Sequence, residues 1–170
     1  MLSVPVARSP RKPGTLLIAL AGVCLTAAVA GAQGEITAAR AEQSPVVDGK
    51  LDDPCWRRTP AVTGFTRPLS KEATAKRVSV KVCFDEAALY LAVTCAEPNP
   101  GRLRANSKQD GPDVWKDDCV EFFLRTTGNS LEFDQFIVNT AGAKQSLRRR
   151  AATGEQAWTP GWQSAVRVGA

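Results

Sequence analysis

The chain contains no histidine, and its only methionine is the first residue. That removes Ser-His-Asp and Cys-His catalysis as usually built and haem ligation through histidine, and, with no CxxC spacing among the cysteines, it argues against a zinc site. Any catalysis would have to rest on carboxylates, lysine or tyrosine. Trp115 stands in a Gly- and Pro-rich loop just before an alternating apolar run. An indole there either offers a flat apolar face to a ring-shaped ligand or plugs the entry to a strand. Asp117 and Asp118 follow it, adjacent carboxylates that would suit calcium, which takes about 6–8 oxygens, or would shape a turn. Glu121 can accept two hydrogen bonds from neighbouring hydroxyls or pair with a basic residue on the next strand. Asp48, Asp52 and Asp53 form a second acidic cluster, better read as turn and helix-cap residues. No EF-hand loop is present. Carboxylates able to work as a glycosidase pair cannot be singled out, so the chain carries no signature of a stand-alone hydrolase.

Elements must position these groups. Val46-Val47 reads as a strand running into an Asp48-Gly49 turn. A short helix should start at Asp52-Asp53-Pro54 and stop before Pro60, with Trp56 packed inward. Residues 76–84 alternate strictly: Val78, Val80, Val82 and Phe84 on one face, Arg77, Ser79 and Lys81 on the other. Residues 88–96 form a second strand and the two make an antiparallel hairpin turned by Asp85-Glu86-Ala87. Further strands are expected at 118–126 and 131–139, joined by a turn at 127–130, and a last one at 163–168. Residues 97–114 read as a loop, and so does the stretch after Ala141-Gly142, including the basic run Arg148-Arg149-Arg150. That run, without interleaved aromatics, reads as solvated surface and not as a nucleic-acid site. Short strands, Gly/Pro turns and almost no helix predict an all-β, antiparallel β-sandwich of jelly-roll type. The chain ends on an expected strand, which reads as a fold missing its last strands.

The N-terminus reads as an export signal. Arg8, Arg11 and Lys12 precede an uncharged apolar run from Leu16 to Ala30, and Ala30-Gly31-Ala32 gives a cleavage site before Gln33. The run is short for a membrane span, so an uncleaved anchor is the only expected membrane contact. Residues 1–32 are thus assigned to the signal, 33–44 to a linker or entry segment and 45–170 to one domain, secreted or periplasmic. Removing the three basic signal residues leaves 19 of 22 against 17 acidic ones, so the basic balance is no argument for a nucleic-acid partner. After the signal, Cys55, Cys83, Cys95 and Cys119 are disulfide candidates in three possible connectivities. Strand parity disfavours Cys83–Cys95.

Read in order, VVDGKLDDPCW (46–56), FDEAALYLAVTCAEP (84–98), VWKDDCVEFFL (114–124), FDQFIVNTAG (133–142) and then Trp158 and Trp162 resemble the family 9 carbohydrate-binding modules and their free-standing relatives. The resemblance implies a β-sandwich that binds oligo- or polysaccharide in carbohydrate catabolism, with structural calcium in some members. It implies a stacking tryptophan at Trp115, a sugar-contacting carboxylate at Glu121, a polar contact or turn cap at Asn139, and a second aromatic at Trp158 or Trp162. Two rival readings stay open: a fragment of a xylanase-like glycoside hydrolase lacking its catalytic domain, and an interaction sandwich that has lost the sugar site.

Overall fold

Alternation between apolar and polar residues builds two sheets. In the computed structural model, which describes residues 36–66, 77–125, 128–129 and 131–169, the first sheet has the order β1 (Ala39–Arg40), β2 (Val78–Phe84), β3 (Leu89–Cys95). The second runs β4 (Cys119–Leu124), β5 (Phe133–Asn139), β6 (Lys144–Arg150), β7 (Gly154–Ala157) in sequence order. All pairings are antiparallel except the two-residue β1, which lies parallel to β2. The export signal at 1–32 and its cleavage site lie outside the described residues, as do Lys76, Thr126, Thr127 and Ser130.

The β2–β3 hairpin forms as its alternation predicts, with Val82 opposite Leu91 and Cys83 opposite Tyr90. Its turn is tied by one side chain: Asp85 Oδ1 accepts the amides of Ala87 and Ala88, and Oδ2 accepts the hydroxyls of Tyr90 and Ser44. The register puts Cys83 and Cys95 on opposite faces. One face of this sheet, with Val82, Leu89 and Leu91, meets Phe122, Phe136, Val138 and Trp162 across the sandwich. There the rings of Phe122 and Phe136 stack at 4.8 Å, and Trp162 stands edge-on to both. The other face, with Cys83, Tyr90 and Ala92, is covered by Ala41 and by Cys55 and Trp56 of helix α1 (Pro54–Arg58).

Four local expectations are corrected. Asp53 holds the N-cap position of α1 but makes no side-chain cap bond; its carbonyl accepts the Trp56 amide instead. Val46-Val47 is not a strand: Val46 is exposed and finds no ladder, while the turn itself forms, with Gly49 at φ +80° and Asp48 Oδ1 accepting the Lys50 amide. Residues 144–150 are strand β6 and not a loop. The arginine run alternates across the sheet, so Arg148 and Arg150 both reach Asp134 on β5, at 2.9 and 2.6 Å, and only Arg149 is exposed. Residues 163–168 make no strand. Trp162 and Val166 pack against the core without a backbone ladder, and Arg167 lies so close to Gly49 that a Cβ there would meet its Cγ at 2.6 Å.

Candidate binding site

The face of the second sheet turned away from the core carries the candidate site. Register places Cys119, Glu121 and Phe123 of β4 on one side with Asn139, Ile137 and Gln135 of β5. A single 3-10 turn, Val114–Lys116, lies over that face. Val114 is its anchor, fully buried against Ile137 and Ala143. The next residue, Trp115, is therefore turned outward, with 54% of its surface exposed. Lys116 Nζ sits 5.9 Å from the indole centroid and 2.7 Å from Asp113.

Beneath the turn, polar groups are consumed in holding it. Asn139 is completely buried and uses both ends of its amide. Its Nδ2 donates to the Ser107 carbonyl at 2.8 Å and to Asp117 Oδ2 at 2.9 Å, and its Oδ1 accepts the amides of Ala141 and Ala143. Asp117 accepts the amides of Asn106 and Ser107, each at 2.9 Å, and these donors hold its carboxyl below the usual range. Asp118 Oδ2 accepts the Arg104 amide at 2.7 Å. These two aspartates pin the 104–107 loop to the sheet. The lone pairs of Asp117 face N–H donors rather than an open cation position. Among the described residues, no cluster of three or more acidic or thiol side chains is placed to hold a metal.

Glu121 is exposed on the same face as Trp115. The Cys119 thiol lies 3.9 Å from both Glu121 Oε1 and the Trp115 carbonyl, so one small side chain spans the two. Burial first, then the Glu121 charge, pushes that thiol up to about 11, which keeps it protonated. Glu121 Oε2 accepts a 3.0 Å bond from Gln135 Nε2. Gln135 was not singled out by the sequence; only the β4–β5 register, which sets it on the Glu121 face, reveals it. Phe123, 55% exposed, follows along β4 and meets Phe133 edge-on at 5.3 Å.

The structure brings Trp115 and Glu121 together and leaves Trp158 apart. Trp158 packs on the core face of the sheet, edge-on to Phe136 at 5.7 Å, with the Arg148 guanidinium 3.6 Å above its ring. Trp162 is buried, and its Nε1 donates to Ser146 Oγ. Neither Trp158 nor Trp162 therefore lies on the Trp115 face of the sheet. Cys55, Cys83, Cys95 and Cys119 are all present as thiols.

A flat apolar ring beside a carboxylate and an amide suits a ligand that is a ring carrying hydroxyls: one face to stack, edges to hydrogen-bond. The family described as carbohydrate family 9 binding domain-like matches the chain over residues 47–168. No curated protein and no solved structure gives a match.

Proposed function

The chain belongs to the carbohydrate family 9 binding domain-like family, and on that premise we propose that it is an exported, non-catalytic module that holds an oligo- or polysaccharide on the Trp115 face. The observation that carries this reading is the outward display of Trp115 by a buried Val114. An indole left half in water has lost the main benefit of burying it, which is the condition under which a ligand's apolar face can supply it. A pyranose offers such a face through its axial C–H groups. Its equatorial hydroxyls then point sideways, where Glu121 accepts them and Gln135, already bonded to Glu121 Oε2, fixes the carboxylate's rotamer. Asn139, Asp117 and Asp118 serve this reading from below, as the frame of the turn. The signal-like N-terminus supports a secreted or periplasmic location, where polysaccharides are broken down.

The test is a titration with oligosaccharides of several backbones, followed by tryptophan fluorescence and calorimetry. Saturable binding that drops about tenfold or more in Trp115→Ala, as expected for a lost stacking contact of the order of 1 kcal/mol plus its buried area, supports the site. Full affinity in Trp115→Ala sinks the site, and no binding to any glycan sinks the function.

A further inference from the structure

Two cysteines that the candidate site does not use are buried together in the cluster under α1, on the outer face of the first sheet. Cys55 lies in α1 and Cys83 in β2, and they are 6% and 0% exposed. They share one apolar cluster with Trp56, Tyr90 and Ala92. Both are buried in that one cluster, and the elements that carry them, α1 and β2, pack against each other. Packing alone does not call for sulfur at two positions of one buried cluster, since small apolar side chains fill such a space without a polar S–H. Burial raises both thiols, Cys83 to about 12. Neither is a nucleophile once the cluster has closed, so any chemistry between them belongs to folding, before the cluster excludes solvent.

We propose that Cys55 and Cys83 form a disulfide that ties α1 to the central strand of the first sheet. The oxidant is a low-molecular-weight or protein disulfide, as found in oxidising compartments. The thiolate of one cysteine attacks it, forming a mixed disulfide and releasing one oxidant thiol. The second thiolate then displaces the other oxidant sulfur and closes the Cys55–Cys83 bond. Two protons and two electrons leave the pair, and the oxidant departs as two thiols. Cys95 and Cys119 are poor competitors. Cys95 is on the face of its sheet opposite Cys83, and Cys119 is on the second sheet beneath Trp115. The pairing is independent of whether a sugar binds.

The test is oxidative refolding of the full chain from its reduced, denatured state in a glutathione redox buffer, followed by alkylation and peptide mapping by mass spectrometry. Trypsin alone leaves Cys83 and Cys95 in one peptide, because no Lys or Arg separates them, so a second cleavage at Glu86 is needed. The expected result is a linked pair of peptides containing Cys55 and Cys83, which separates on reduction. Alkylation of Cys55 and Cys83 as unlinked thiols, or linkage of either to Cys24, Cys95 or Cys119, overturns the proposal. In Cys55→Ala, Cys83 should instead be recovered alkylated. The wild-type map decides the question even if that variant fails to fold.

Discussion

Val114 and Trp115 are chain neighbours with opposite environments, one wholly buried and one half in water. That contrast is legible in the sequence only as a tryptophan in a loop before a strand. The direction it faces depends on Val114 finding Ile137 and Ala143. Glu121 was legible by strand parity, whereas Gln135 and Asp134 were not, because their roles exist only across the β4–β5 and β5–β6 registers. Two predictions belong at this scale. Glu121→Gln keeps the shape but removes the charge; a hydrogen bond to a charged group contributes about 1.5–3 kcal/mol. Saccharide affinity by calorimetry should fall by roughly ten- to a hundredfold, with the thermal midpoint unchanged because the group is exposed. Asp134 behaves in the opposite way. It is buried, and although burial opposes its charge, Arg148 and Arg150 hold its carboxyl below the usual range. Asp134→Ala strands two partly buried guanidinium groups and should cost about 3–5 kcal/mol in urea denaturation.

At the scale of elements, alternation carried β2 to β5 to within two residues of their ends, because each buries one face of a two-residue period. It failed at β6 because three consecutive arginines look like solvated loop until Asp134 is seen opposite two of them. It overreached at 163–168, where a strand-like pattern serves packing without pairing. Turns are held by single polar side chains, and two predictions follow from that. Asn139→Ala removes four hydrogen bonds under the Val114–Lys116 turn and leaves buried amides unpaired. It should cost on the order of 2–4 kcal/mol and weaken saccharide binding in the same variant, measured by denaturation and titration in parallel. Asp85 sets a pH dependence. Burial opposes its charge, but the Ser44 and Tyr90 hydroxyls and the Ala87 and Ala88 amides outweigh it and lower the carboxyl to about 2. A depressed carboxylate stabilises fully above its unfolded value of 3.8 and loses that contribution as pH falls toward about 2. Asp85→Asn should therefore lower stability at pH 7 by about 1–3 kcal/mol and flatten the acid limb between pH 4 and 2.

For the whole molecule, the second sheet separates two jobs. Its inner face, with Phe136, Val138 and Trp162, closes the sandwich, and its outer face carries Trp115, Glu121 and Gln135. Side chains alternate across a strand, so a core residue and a site residue can be adjacent in sequence without touching the same environment. Stability and binding should then respond to different substitutions. Trp162→Ala removes a large buried ring and the Ser146 bond and should cost about 3–5 kcal/mol. Under conditions where the variant is still folded, its saccharide affinity should match the parent's, because the lost ring is on the inner face. The same separation can be read optically. Trp56 and Trp162 are buried and Trp158 is partly so, leaving Trp115 as the accessible indole. Acrylamide quenching should be strongest at Trp115, be relieved by bound saccharide, and persist in Trp162→Ala but not in Trp115→Phe. If ligand protection survives Trp115→Phe, a different face holds the sugar and the division of the sheet into a structural and a binding side is wrong.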